Sequence, residues 1–221
     1  MKKIATVYTD MKEKFGLPRQ SGIVGELKGR IVFEPEYRRI EAVRGLENFS
    51  HIWLLWRFCG FENETFSPTV RPPKLGGNKR VGVFATRSPN RPNPIGLSAV
   101  KLDKIDTECD NAPVLYVSGV DMTDGTEILD IKPYLPFTDC VKEATGSLTE
   151  RTDKLEVVFK DPVNISQEEK SAVIRLIAED PRPGYIDEPG RIYGMMYKDH
   201  NIRFTVENGI ATVFDITDNE E

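Results

Sequence analysis

The sequence has few of the residues on which acid–base, metal or disulfide chemistry usually depends. It contains two histidines and three cysteines among 221 residues. The cysteines are widely separated and odd in number, so we expect reduced thiols rather than a disulfide framework. No pair of Cys or His residues has the spacing of zinc ligands, and no Ser, Cys or His lies in a nucleophile elbow. The sequence predicts no resident metal ion, and an enzyme of this composition needs a reactive co-substrate.

Two further absences limit the location and the fold class. The longest apolar run is Ile52–Trp56, whereas a membrane span needs about 20 such residues. The N-terminus lacks the apolar core of a signal peptide, and we expect a cytoplasmic protein with no membrane partner. Phosphate-binding loops and dinucleotide fingerprints are missing, and the strands do not alternate with helices. These features argue against a doubly wound α/β sheet.

Charge is unevenly distributed along the chain, whose net charge is -5. Residues 1–100 carry 17 Lys and Arg against 9 Asp and Glu, whereas residues 101–221 carry 13 against 26. Nucleic acid responds to the local field rather than to the total charge, so the basic half can hold a phosphate-binding face. Segregation of solvated surface charge without a partner is the alternative interpretation.

Short runs of β-branched and aromatic residues, separated by Gly, Pro and Asn, predict a mainly β fold. Their number and spacing predict a small closed or partly closed β-barrel. One helix is expected near Arg39–Leu46. The seven candidate strands are Ile4–Tyr8, Gly29–Phe33, Ile52–Phe58, Val81–Ala85, Ala99–Ile105, Val114–Val120 and Glu127–Ile131.

The pattern changes after the predicted barrel, which we assign to residues 1–138. Residues 139–153 are polar and have the composition of a linker, and residues 154–221 predict a small α+β C-terminal domain. Ser166 and Glu169 form a capping-box pattern ahead of an amphipathic helix. Asn208-Gly209 is typical of a hairpin turn. Candidate strands in this part are Leu155–Phe159, Asn201–Val206 and Ile210–Phe214.

The segment Thr86–Ser98 combines a stiff backbone with polar side chains. Three prolines in six residues restrict the backbone and remove donors, which lowers the entropy cost of presenting side chains to a ligand. Arg87 and Arg91 can hold a carboxylate or phosphate through paired hydrogen bonds, and Gly96 allows a close backbone approach. We therefore predict a small-molecule site, and the alternative is a rigid loop between two barrel strands.

This segment, with the sequence TRSPNRPNPIGLS, resembles the signature of the TsaA-like family, which includes the TrmO tRNA methyltransferases. Further pieces resemble the family in the same order and span nearly the whole chain. They are Phe15–Gln20, Ala42–Leu46, Phe49–Trp53, Arg71–Gly77, Asp124–Thr126, Asp130–Pro136, Asp180–Tyr185 and Asn201–Phe204.

The resemblance implies a β-barrel that binds S-adenosylmethionine, acts as a homodimer and uses tRNA as its partner. It implies methylation of N6 of threonylcarbamoyl-adenosine at tRNA position 37. Ser88, Pro89 and Asn90 lie where family sequences vary, so they receive no shared role. The residues that match the family's co-substrate site are Pro18, Arg19, Gln20, His51, Ile52, Arg87, Leu97, Asp124, Gly125, Thr126, Glu127 and Asp130.

A mechanism consistent with these residues is direct in-line attack of N6 on the sulfonium methyl group. The co-substrate carries its own leaving group, so the protein supplies alignment and electrostatics and no metal. Arg19 or Arg87 would hold the co-substrate carboxylate. Leu97 would pack on its adenine, and an acidic residue would meet its ribose or ammonium group. The candidates for that acidic residue are Asp124, Glu127 and Asp130.

Recognition of the target adenine is assigned to Asp180, Pro181 and Tyr185, which offer a carboxylate, a fixed carbonyl and an aromatic face. The alternative there is an ordinary helix stop followed by a turn. We expect tRNA binding to weaken at high salt. The candidate RNA-binding residues are Lys74, Lys79, Arg80, Arg91, Arg182 and Arg203.

Three other functions remain open from the sequence. The first is another S-adenosylmethionine enzyme on the same barrel with a different substrate. The second is a regulatory module that binds S-adenosylmethionine without converting it. The third is a structural RNA-binding barrel without affinity for the co-substrate.

Overall fold

The computed structural model describes residues 1–61, 66–72, 79–146, 154–183, 188 and 190–218. These residues form two main sheets and two α-helices, α1 (Pro136–Asp139) and α2 (Gln167–Ala178). The strands are β1 (Ala5–Thr9), β2 (Lys28–Phe33), β3 (His51–Arg57), β4 (Thr69–Val70), β5 (Val81–Gly82), β6 (Ile95–Asp106), β7 (Val114–Ser118), β8 (Thr126–Pro133), β9 (Glu156–Phe159), β10 (Tyr193–Tyr197), β11 (His200–Glu207) and β12 (Ile210–Asp218).

Six described strands close into a barrel in the order β1-β2-β7-β6-β3-β8, with every neighbouring pair antiparallel. The 12-residue β6 pairs with both β3 and β7 and thereby bridges the two halves of the barrel. Alternation along β3 sends Ile52, Leu54 and Trp56 inward, where each is buried. The predicted mainly β fold with a small barrel is confirmed.

Two predicted elements of the barrel region are wrong. In Val81–Ala85, only Val81–Gly82 is a strand, and it pairs with β4 outside the barrel. Val83–Ala85 instead forms a 3-10 turn, in which the Thr86 N–H donates to the Val83 carbonyl. The expected helix near Arg39–Leu46 is replaced by two 3-10 turns, Ile40–Val43 and Leu46–Asn48, which are separated by an extended Arg44 and a left-handed Gly45 with φ of 89°.

The C-terminal part is a four-stranded sheet in the order β10-β11-β12-β9, with α2 following β9. Ser166 and Glu169 form the predicted capping box at the start of α2. Asn208 and Gly209 both have positive φ, as a tight hairpin turn requires, and connect β11 to β12. The strand β10 was not predicted, because its sequence YGMMY contains no β-branched residue.

The β1–β2 connection, residues 10–27, joins the barrel to the C-terminal sheet. The Phe15 and Tyr193 rings stack with centroids 6.3 Å apart, and the Lys198 N–H donates to the Asp10 carbonyl at 2.9 Å. Buried apolar residues of both parts belong to one continuous cluster. None of the described helices is long and apolar enough to cross a membrane.

Candidate active site

Three connections leave the barrel at the same end. They are the β1–β2 connection of residues 10–27, the β3–β6 connection of residues 58–94 and the β7–β8 connection of residues 119–125. The antiparallel registers fix this arrangement, because they place the end of β1, β3 and β7 beside the start of β2, β6 and β8. We call this the loop end of the barrel, and it contains the segments around Arg19, Arg87 and Asp124.

The loop end brings two of the arginine-bearing segments into contact. A guanidinium nitrogen of Arg87 donates to Gln20 Oε1, so residues 67 positions apart in the sequence meet directly. Burial lowers the pKa of the Arg19 guanidinium, and the negative charge of Asp180 opposes that shift. Pro18, which precedes Arg19 in the chain, is buried. The structure therefore groups Pro18, Arg19, Gln20 and Arg87, as the family motifs predict.

Asp121 also belongs to this group, although no sequence pattern predicted it. Its side chain is buried and accepts a hydrogen bond from Ser98 Oγ at 2.6 Å. Ser98 Oγ in turn accepts one from Trp56 Nε1 at 2.9 Å. Burial raises the pKa of Asp121 to about 6, against hydrogen bonds from Ser98 and the Ser21 backbone N–H and the positive charge of Arg87. One carboxylate thus connects all three segments of the loop end.

Gly96 serves the barrel rather than the ligand. A Cβ atom at this position would lie 2.1 Å from Cε2 of Trp56, which is far inside van der Waals contact. The close approach expected from the sequence is therefore an approach of an indole ring. It keeps Trp56 where its Nε1 reaches Ser98, and so supports Asp121 indirectly.

The segment Asp124–Thr126 forms a turn whose hydrogen bonds fasten it to β1. Asp124 Oδ1 accepts from the Thr9 N–H at 2.9 Å, and the Gly125 N–H donates to the Val7 carbonyl at 3.0 Å. Gly125 has φ of 76°, a conformation that favours glycine. Asp124 and Gly125 are exposed at the loop end. The turn interpretation accounts for their conformation, and their exposure leaves them accessible to a ligand.

His51 and Ile52 lie away from Arg87. They begin β3, whereas the Arg87 segment follows the end of that strand, about 20 Å along the chain direction. His51 is exposed and its ring lies 6.3 Å from that of Tyr134. Ile52 is fully buried in the barrel, so its side chain is not available to a ligand. A single chain does not bring His51 and Arg87 to one small molecule.

Leu97, Glu127 and Asp130 lie on the outer wall of the barrel. Leu97 is half exposed and is paired with Leu55, which is also paired with Asp130. Asp130 forms an ion pair with Lys132 at 3.0 Å, and Glu127 forms one with Arg57 at 3.5 Å. Successive residues of a strand point to opposite faces, so Leu97 points outward while its neighbour Ser98 on β6 points inward to Asp121. The outer wall is therefore separate from Asp121.

The residues assigned to adenine and RNA lie in both parts of the molecule, mostly on connections. Asp180 accepts from Arg182 Nε and Nη2 at 2.8 and 3.0 Å, and Pro181 is half-buried. Arg91 donates to the carbonyls of Val83 and Thr86, and Arg203 lies 3.7 Å from Asp215.

Lys79 and Arg80 are exposed, and Arg80 also donates to Thr69 Oγ1 at 2.8 Å. Lys74 and Tyr185 lie outside the described residues. Within the described ranges, no group of three or more His, Cys, Asp and Glu side chains is arranged to hold a metal ion.

Comparison with known proteins matches the chain over almost its full length. The model of the tRNA-methyltransferase O N-terminal domain matches residues 6–140, and that of the TrmO C-terminal domain matches residues 152–219. A tRNA (adenine(37)-N6)-methyltransferase of Escherichia coli is 38% identical over 96% of this chain and 95% of its own. One from Eikenella corrodens is 44% identical over 75% of this chain and 96% of its own.

Comparison with solved structures indicates the same family. The crystal structure of TrmO from Pseudomonas aeruginosa superimposes with a TM-score of 0.77 at 29% identity, covering 98% of this chain and 95% of that one. The closed barrel, its arginine-rich loop end and these matches define an S-adenosylmethionine-dependent methyltransferase of the barrel class. Within that class, the chain belongs to the tRNA-methyltransferase O family.

Proposed function

We propose that this protein transfers a methyl group from S-adenosylmethionine to N6 of threonylcarbamoyl-adenosine at position 37 of tRNA. The observation that carries the proposal is the match along 96% of the chain to a relative named for methylation of that adenine. The modified form of the adenosine rests on the resemblance of the motifs. The basic first half of the chain is compatible with a tRNA substrate, and we place the protein in the cytoplasm, where that substrate occurs.

The loop end has the donor set that S-adenosylmethionine requires. When bound, that molecule supplies a methyl group on a positively charged sulfonium. Arg87 and Arg19 provide guanidinium groups for its carboxylate. Asp121 and Asp124 provide carboxylates for its ammonium and ribose groups. The Arg87–Gln20 contact holds two of these segments in place before binding, which reduces the ordering cost.

The target adenine is assigned to Asp180 and the residues that follow it. Arg182 holds the Asp180 carboxylate through its backbone N–H, Nε and Nη2. A carboxylate oxygen accepts hydrogen bonds, which is the complement that an exocyclic amine requires. Because Asp180 influences Arg19 electrostatically, this turn lies near the loop end of the barrel. We therefore assign co-substrate binding to residues 1–138 and recognition of the tRNA at its target adenine to residues 154–221, joined through residues 139–153.

A homodimer would resolve the separation of His51 from Arg87. In a two-fold dimer, the far end of β3 of one protomer can approach the loop end of its partner. The exposed outer wall around Leu55, Leu97 and Trp53 provides an apolar surface for such a contact. We propose that two copies together complete each co-substrate site, with His51 supplied across the interface.

Mass spectrometry of anticodon-loop nucleosides tests the proposed reaction. The protein is incubated with S-adenosylmethionine and tRNA that contains threonylcarbamoyl-adenosine, and with matched tRNA from cells that lack this modification. We expect one added methyl group on the modified adenosine and almost none in the matched tRNA. Asp180→Ala should abolish transfer while S-adenosylmethionine binding persists. Equal methylation of both tRNAs would point to another substrate, and binding without formation of S-adenosylhomocysteine would point to a regulatory module.

A further inference from the structure

Two phenylalanine rings are stacked against each other on the surface near the loop end. The Phe66 and Phe84 rings lie with centroids 6.2 Å apart and an interplanar angle of 24°. Phe66 is 56% exposed and Phe84 is 70% exposed, so both present apolar area to solvent. Paired exposed aromatics mark interaction surfaces more often than isolated exposed apolar residues do. This Phe66–Phe84 pair has no part in the barrel core.

The segment that carries the pair is positively charged. The sequence from residue 65 to residue 94 contains no Asp or Glu but six Lys and Arg residues. The Arg91 guanidinium lies over the Phe84 ring, 5.5 Å from its centroid. Exposed aromatics among cations are typical of surfaces that bind single-stranded nucleic acid, where bases stack on rings and phosphates meet the charges. An apolar surface for another copy of the chain would not need this charge, because a symmetric contact would oppose like charges.

The Phe66–Phe84 pair lies next to the segment to which we assign the co-substrate. Phe84 lies in the 3-10 turn Val83–Ala85, three residues before Arg87. Thr86 and Arg91 fasten this turn through hydrogen bonds to the Val83 carbonyl. The Phe84 ring is therefore presented by a fixed backbone beside the co-substrate segment.

We propose that the Phe66–Phe84 pair stacks a base that flanks the target adenosine in the single-stranded anticodon loop. The proposal rests on the proposed function for the identity of the RNA. Stacking of the neighbouring base would hold the loop open while the target adenosine enters the site. Since every base has an aromatic face, the contact adds affinity without demanding one sequence.

Fluorescent anticodon stem-loops test the stacking directly. Two RNAs carry threonylcarbamoyl-adenosine, with 2-aminopurine on its 5′ side in one and on its 3′ side in the other. We expect the protein to quench one of the two probes. Phe84→Leu retains apolar area but loses the aromatic face, so it should remove that quenching and raise Kd about 5- to 150-fold. Phe66→Leu should have the same direction of effect, and Phe84→Trp should restore both signals.

Matched controls separate stacking from charge and folding. Tyr116→Leu changes an exposed aromatic residue of β7, a strand outside the proposed dimer wall, and should leave Kd unchanged. The slope of log Kd against log salt should be the same in Phe84→Leu and the natural protein, because no charge is removed. S-adenosylmethionine affinity, measured by calorimetry without RNA, should also be unchanged.

The outcomes distinguish this inference from the proposed function. Natural Kd and quenching in both leucine variants would overturn the stacking role. A shift from dimer to monomer in light scattering, with Kd for RNA unchanged, would instead assign the rings to contact between copies. Quenching that depends on Phe84, in a natural protein that transfers no methyl group, would preserve the stacking role and overturn the proposed reaction.

Discussion

Asp121 shows how one buried side chain links the three segments of the loop end. Its carboxylate meets the Ser98 hydroxyl on β6, the Ser21 backbone on the β1–β2 connection and the charge of Arg87 on the β3–β6 connection. Hydrogen bonds and a positive charge favour the ionised form, but burial exceeds them and raises the pKa to about 6. The protein thus retains a carboxylate that is costly to ionise, at the point where its loops converge.

This raised pKa makes a prediction for stability. The unfolded chain ionises Asp121 near 3.8 and the folded chain near 6. The stabilisation is therefore complete below about pH 4 and is lost as the pH rises through 6, by up to about 3 kcal/mol. Asp121→Asn removes this contribution. Urea unfolding at pH 4.5 and pH 7.5 should show a larger decrease in the natural protein than in the variant, and equal decreases would contradict the assignment.

Gly96 gives a second prediction at the scale of one residue. Gly96→Ala forces a methyl group into the Trp56 indole, so we expect destabilisation of about 1–3 kcal/mol. Gly82→Ala is the matched control, because a Cβ there meets no atom within 4 Å. Thermal unfolding of both variants checks the difference, and a Gly96→Ala variant as stable as Gly82→Ala would show that the ring moves freely.

Among the elements, α2 is stabilised by its first turn. The Glu169 N–H donates to Ser166 Oγ at 3.2 Å, while the Ser166 N–H donates to Glu169 Oε2 at 2.9 Å. We expect Ser166→Ala to lower the free energy of unfolding by about 1 kcal/mol. Ser166→Asp retains an acceptor and should recover most of the loss in a urea titration. If both variants are equally destabilised, the cap is not the cause.

The elements also show what the sequence can and cannot predict. The capping box and the Asn208-Gly209 turn were predictable because local backbone geometry determines them. The Val83–Ala85 segment has the residues of a strand, but its hydrogen bonds form a turn instead. Local pattern carries no information about which segment finds a partner strand.

The candidate site likewise contains residues that local sequence indicates and residues that only the folded barrel brings together. Pro18, Arg19, Gln20 and Arg87 could be proposed from the sequence because family motifs carry them, although they come from two separate connections. Asp121 was missed because its importance depends on Ser98 and Trp56, which approach it only after the barrel closes. Pairing across the barrel places them together, and no spacing in the sequence records that.

For the whole molecule, the separation of His51 from Arg87 predicts shared sites. If each site takes Arg87 from one protomer and His51 from its partner, His51→Ala and Arg87→Ala should each abolish S-adenosylmethionine binding. A mixture of the two, unfolded and refolded together in equal amounts, forms heterodimers with one intact site. About a quarter of the natural number of sites should then return, by random pairing in a two-fold dimer. Calorimetric titration counts those sites, with separately refolded variants as the control. Recovery of none would show that every site is completed by one chain.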